Sequence, residues 1–193
     1  MRILGIDPGS LVTGYGVVER RGAGLHHIAH GTLRQPRTAP LATRLAAIHA
    51  GIASVIEAHR PGLVVVEGVF VAVNPRAALV LGQARGVALA AAAAAGLRVD
   101  ELSPQAVKLA VVGTGAAHKL QVQRMVRRLL ALDVTPPQDA ADALAVALCA
   151  AQQSPRLTLA AAVAELGASR TLGRARRPRG TARAGRFVLR RIR

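Results

Sequence analysis

Aromatic side chains are almost missing from this chain of 193 residues. There is no Trp, and Tyr15, Phe70 and Phe187 are the only other rings of that kind. With 51% hydrophobic residues the chain buries a real core, but that core must be built from Val, Leu, Ile and Ala. Cysteine occurs once, as Cys149. That excludes an internal disulfide and suits a reducing compartment, and the Ala/Leu/Val run around Cys149 makes it a small core residue. Acids are scarce: 10 against 26 basic residues, for a net charge of +16. So large an excess points to a polyanionic partner, nucleic acid before membrane. Only Lys108 and Lys119 are lysines, and an excess made so generally of Arg is not read as selection for bidentate phosphate contacts. The N-terminus lacks the charged, then apolar, then small-residue pattern of a secretory signal. The apolar run from Gly86 to Gly96, about ten residues, is too short to span a bilayer. A soluble, cytoplasmic protein is expected.

What is present divides in two. Residues 1–153 read as one domain. Residues 154–193 form a basic Arg/Gly/Pro-rich tail with a single acid, Glu165, and disorder without a partner is expected there. In the first part, Ile3, Leu4 and Ile6 make a buried strand that stops at Asp7, where Pro8-Gly9 turns the chain. Gly14 to Val18 pairs back as a hairpin, and His26 to Leu33 reads as a third strand. Leu41 to His59 is a helix ended by Pro61-Gly62. Leu63 to Val66 is a continuous β-branched run, as in a strand buried on both faces, and it ends at Glu67. Asn74-Pro75 opens a helix to about Gly96, Leu97 to Leu102 is a short strand, and Ser103-Pro104 opens another helix. Ala116 to Leu132 is a basic helix, and Gln138 to about Gln152 is the last core helix. Strands first, then helices alternating with strands, predict an α/β layer fold with a mixed sheet.

The acids within that order carry the chemistry. Asp139 and Asp142 stand at i, i+3 in the first turn of the last helix, which puts both on one face with Cβ atoms roughly 5–6 Å apart. Asp7 and Glu67 both end apolar strands, and so stand at the rim of the sheet. Taken singly, each has a bland explanation: Asp7 as a turn aspartate bonding its own backbone, the helix pair as compensation of the helix dipole. Four carboxylates brought together would need neutralising, and hard divalent cations with oxygen ligands do that. Two such ions about 3.5–4 Å apart activate a water and stabilise the leaving oxygen in phosphoryl displacement. No Ser–His–Asp pattern competes.

The segments GIDPGSLVTGYGVV, VVVEGVF, ALVLGQARGVAL, VKLAVVGTGAAHKLQVQRMV and PQDAADALAVA resemble those of the RuvC family of crossover-junction endodeoxyribonucleases, through about residues 2–150. The resemblance implies a ribonuclease-H-like fold with a central five-stranded mixed sheet flanked by helices. It implies a homodimer that resolves four-way (Holliday) junction DNA by symmetric hydrolysis in recombination and repair, using Mg2+ or Mn2+, two ions per active site. It makes Asp7, Glu67, Asp139 and Asp142 the metal ligands and places Lys108 and Lys119 beside the cleaved strand. It makes Phe70 the aromatic that stacks on an unpaired base, a contact worth about 1–3 kcal/mol per base. Arg76 and Arg85, on the helix after Asn74-Pro75, are further candidate DNA contacts. A branch-migration motor of the RuvA and RuvB type is the implied partner. Gly68 and His118 depart from the family pattern.

Two other readings remain open at this stage. The Asp-Pro-Gly-Ser hairpin with Thr13 also suits the phosphate cradle of actin-like ATPases and sugar kinases, but those need a second, duplicated lobe for which 193 residues leave no room. A non-catalytic junction-binding module of the same fold is the other, and the presence of all four acids argues against it.

Overall fold

The structure is a computed structural model that describes residues 1–68 and 74–153. Phe70 and the whole 154–193 tail therefore lie outside the described residues. Five strands, β1 (Arg2–Asp7), β2 (Val12–Arg21), β3 (Gly24–Arg34), β4 (Leu63–Glu67) and β5 (Val99–Leu102), form one sheet in the order β3-β2-β1-β4-β5. The β1–β2 and β2–β3 pairs are antiparallel, and β1–β4 and β4–β5 are parallel. This is the five-stranded mixed sheet of the ribonuclease-H-like fold.

Alternation along the strands divides the core into two layers. Leu4, Ile6, Val17, Val64 and Val66 face one side, where helices α1 (Leu41–His59) and α2 (Pro75–Ala94) cover them. Both helices are long and apolar enough, by length and composition alone, to cross a membrane. Here α1 buries Ile48, Ile52, Val55 and Ile56, and α2 buries Ala84, Ala88, Ala91 and Ala92. Ile3, Val18, Leu63 and Val65 face the other side. There they meet α5, the helix over residues 138–153, which is backed in turn by Val107 and Val111 of α3 (Pro104–Val112) and Val122 and Val126 of α4 (Lys119–Leu129). α5 is thus a middle layer, which is why residues 143–151 are buried without a break.

The expected helix starts are present. Asn74 accepts from Arg76 N at 3.0 Å and Ala77 N at 3.4 Å, and Ser103 accepts from Ala106 N at 3.2 Å, each followed by Pro in the first turn. The basic helix is shorter than its periodicity predicts. His118 is extended and serves as the N-cap of α4, with its N–H donating to Gln121 Oε1 at 2.8 Å. At the far end Ala131 takes a left-handed φ of 49° and turns the chain away. Cys149 is buried, with its thiol pushed up to about 11 by desolvation. It is a core residue and no nucleophile at neutral pH.

Candidate active site

Register and alternation bring the first two acids together. Ile6 stands opposite Val66 in the parallel β1–β4 pair, so Asp7 and Glu67, one residue on, end adjacent strands side by side. Both share the parity of Ile3 and Val65, which places them on the α5 face. The turn after Asp7 is pinned from within: Thr13, fully buried, donates through Oγ1 to Gly9 O at 2.7 Å and accepts from Gly9 N at 3.3 Å.

α5 delivers the other two. It approaches the sheet more closely than side chains would permit. A Cβ on Gly14, the β2 residue paired with Asp7, would lie 1.9 Å from the Asp139 carbonyl oxygen. One on Gly5 would lie 2.1 Å from the Ala143 oxygen. Backbone rests on backbone at these two points, and the first turn of α5 therefore arrives beside Asp7. Sequence reasoning missed these glycines as positioning residues. The signal was available as Gly5 and Gly14 lying in apolar strands, where glycine marks close approach of another backbone.

Asp7, Glu67 and Asp142 line one cavity of about 220 Å³ with Lys108 of α3 and Lys119 of α4. Pro104, Val107, Val122 and Ala145 supply its apolar walls. Asp142 is the break in the run of α5 that is otherwise buried from residue 140 to 151. Asp139 does not line the cavity, but its charge is felt by both Asp7 and Asp142. The four acids and two lysines named from the sequence therefore converge, with Asp139 at the edge.

The electrostatics are those of crowded acids. Burial first, then the Glu67 and Asp142 charges, push Asp7 up to about 8. Burial also raises Glu67 and Asp142 above the ordinary carboxylate range, while Lys119 and Lys108 pull both back. In the metal-free protein Asp7 keeps its proton near neutrality and faces the Glu67 carboxylate. A carboxyl with a folded pKa above its unfolded one binds more protons folded than unfolded, so stability falls as pH rises between the two values. Thermal melts in chelator are expected to show the wild type losing Tm relative to Asp7→Asn from about pH 4 to about pH 8. A Tm difference between the two proteins that stays constant through this window would contradict the burial of Asp7.

The remaining named residues are spread more widely. Arg76 is exposed at the start of α2 and lines a separate cavity of about 550 Å³ with Ser10, Leu11, Arg37 and Asn74. Arg85 is tied up elsewhere. Its guanidinium pairs with Glu101 of β5, its side chain is only 22% exposed, and it fastens α2 to the sheet. This is the structural role the sequence did not reveal.

Amines facing acids in so small a cleft suit a substrate that brings its own negative charge, and hard oxygen donors suit the cations that would escort it. On a ribonuclease-H-like sheet this defines a class, the phosphodiester-cleaving nucleases of that fold. The family model described as crossover junction endodeoxyribonuclease RuvC matches residues 3–150. Among relatives of that description, the chain is 53% identical to one from Alkalilimnicola ehrlichii over 153 residues, 79% of this chain and 92% of that one. It is 54% identical to one from Halorhodospira halophila over 160 residues, 82% and 95%. Of solved structures, the RuvC of Thermus thermophilus in complex with Holliday junction substrate aligns with a TM-score of 0.74 at 38% identity, covering 78% of this chain and 93% of that one. The yeast mitochondrial Holliday junction resolvase Ydc2 shares the fold at 16% identity and a TM-score of 0.59, over 81% of this chain and 80% of that one. The chain belongs to the RuvC family.

Proposed function

We propose that this chain resolves four-way DNA junctions by divalent-cation-dependent hydrolysis of one phosphodiester in each of two opposed strands. The observation that carries this reading is the shared cavity of Asp7, Glu67 and Asp142 with Lys108 and Lys119 against it. Its donors are carboxylates with no thiolate or imidazole among them, which suits Mg2+ or Mn2+ rather than a softer ion. The proton that Asp7 holds toward Glu67 marks the charge a cation would compensate. Among the described residues no three acids are already drawn to one point, so holding the ions would require the carboxylates to draw closer together.

Asp7, Glu67 and Asp142 would hold the two cations, with Asp139 completing the set from the edge of the cleft. When bound, the cations lower the pKa of water and stabilise the leaving oxygen. The rest falls to the chain. Lys108 and Lys119, on separate helices, grip the scissile strand and meet the charge that develops on the phosphate. The apolar walls from Pro104, Val107 and Val122 keep bulk water from the reacting centre. The Thr13-braced turn and the backbone contact at Gly14 hold the acids in register. The products are a 5′-phosphate and a 3′-hydroxyl.

Symmetric cutting calls for two such sites, hence a homodimer. Supporting this, Gly82 and Gly86 fall four apart on one face of α2 with nothing among the described residues within 4 Å of an added Cβ, and Leu79 nearby is 65% exposed. A second copy of α2 could approach closely there. A branch-migration motor would supply the junction in the cytoplasm.

The test is a synthetic four-way junction with a mobile centre, incubated with Mg2+ and mapped on every strand. Paired cuts at symmetric positions are expected, giving nicked duplexes that ligase seals directly. Equal cutting of linear duplex, or cuts in a single strand only, would refute junction resolution.

A further inference from the structure

The third strand carries a feature that the nuclease site does not use. His27 and His30 are three apart, and in a regular strand residues at that spacing point to opposite faces. Here they do not, because the β2–β3 register shifts between Val17 and Val18. Val17 pairs with Ala29, Val18 pairs with His27, and Ile28 is the extra residue of a bulge. Ile28 and Ala29 both pack into the α1 layer, and side-chain parity is inverted beyond them. Leu25, before the bulge, packs on the α5 side, whereas Leu33, after it, packs on the α1 side. The two histidines are thereby turned to the same side, His27 beside Val18 and His30 beside Gly16.

The result is a close pair. His27 Nε2 lies 2.8 Å from His30 Nδ1, with the ring centroids 4.9 Å apart and the planes tilted by 56°. Both rings face a cavity of about 680 Å³ between β3 and the loop after α4, lined also by His26, Asp133, Thr135 and Pro136. Among the described residues none lines both this cavity and the catalytic one. Partial burial, and for His27 the neighbouring His30, lower the pKa of both rings. At neutral pH both imidazoles are uncharged, the form that binds metals.

We propose that His27 and His30 chelate one borderline divalent cation of the zinc or nickel kind, at a site separate from the catalytic carboxylates. Two ring nitrogens each about 2.0–2.1 Å from a tetrahedral ion stand roughly 3.4 Å apart, so the pair opens only slightly to admit it. The single proton now between the facing nitrogens moves to the outward nitrogen of the same ring. Both imidazoles stay neutral, and no proton is lost overall. Among the described residues no third His, Cys, Asp or Glu joins them at one point, so water from the cavity fills the remaining positions. Imidazole prefers zinc, nickel or copper(II) to magnesium, and the site therefore stays open when hard cations occupy the carboxylates.

That preference sets the experiment. The full-length protein is titrated with Ni2+ by calorimetry in excess Mg2+. One ion per chain is expected. His27→Ala and His30→Ala should each weaken it by about tenfold or more, since even an outer-shell change at a metal site costs that much. His49→Ala, on the exposed face of α1, should leave it unchanged. No binding by the wild type, or equal binding by the His27→Ala/His30→Ala double variant, overturns the proposal. A second measurement needs no substitution: in histidine-labelled wild type, Zn2+ should shift the ring nitrogens of His27 and His30 together. Shifts confined to other histidines would also overturn it.

Discussion

Asp7→Asn is expected to abolish junction cutting while leaving junction binding intact. Asp7 sits at the centre of the acids: it ends the strand next to Glu67, and its carboxyl feels the charges of Glu67, Asp142 and Asp139. Asn keeps the shape and removes the charge that would help hold both cations. Cation-assisted phosphoryl transfer draws several kcal/mol from such charge. A loss of at least ~4 kcal/mol of transition-state stabilisation, about a thousandfold in rate, is the expected scale. Binding should hold, because without cations Asp7 is largely protonated near neutrality and Asn replaces a neutral group of the same shape. The metal-free variant should also melt higher than the wild type at pH 8, since a carboxyl desolvated by burial and crowded by other acids has been removed. Single-turnover cleavage and gel-shift titration on the same junction read both halves. Cleavage at the wild-type rate would dismiss Asp7 from the chemistry.

The second large effect is expected away from any charged group. In Gly14→Ala the new Cβ would meet the Asp139 carbonyl oxygen at 1.9 Å and its carbon at 2.5 Å. Both are backbone atoms, so no side chain can swing aside, and the first turn of α5 has to lift from the sheet. Overpacking of that kind costs ~1–3 kcal/mol of stability. It also carries Asp139 and Asp142 away from Asp7 and Glu67, and misplacement by about 1 Å at a reacting centre is worth on the order of a hundredfold in rate. The variant should therefore fold, melt lower and cut poorly at every Mg2+ concentration. Gly62→Ala provides the comparison, since its Cβ meets only Met1 Cγ at 3.6 Å and Arg2 O at 4.0 Å. Wild-type cleavage by Gly14→Ala would mean that α5 slides freely and that its contact with β2 does not position the acids.

Much of this was readable from the residues. Asp7 and Glu67 each close an apolar run, and strand alternation turns them toward the same face once β1 and β4 are neighbours. The Asn74 and Ser103 caps and the Pro61-Gly62 stop depend on local chemistry, which sequence expresses directly. What escaped depends on partners distant in the chain. The depth at which α5 rests is set by the bare backbone at Gly5 and Gly14. The bulge at Ile28 leaves no mark in a run, His26 to Leu33, that reads as one regular strand. The end of α4 is a left-handed alanine, a conformation that composition does not announce. Arg85 resembles any surface arginine until Glu101, sixteen residues later, is folded against it.

The middle position of α5 has a consequence for biosynthesis. A ribosome releases this helix after every other element of the sheet and its covering layers. Until about residue 150 has cleared the exit tunnel, the nascent chain holds two apolar surfaces with nothing between them, open to chaperones and proteases. Prematurely terminated chains would thus be inert toward chromosomal DNA and short-lived, because the segment that completes the cutting centre also seals the hydrophobic interior.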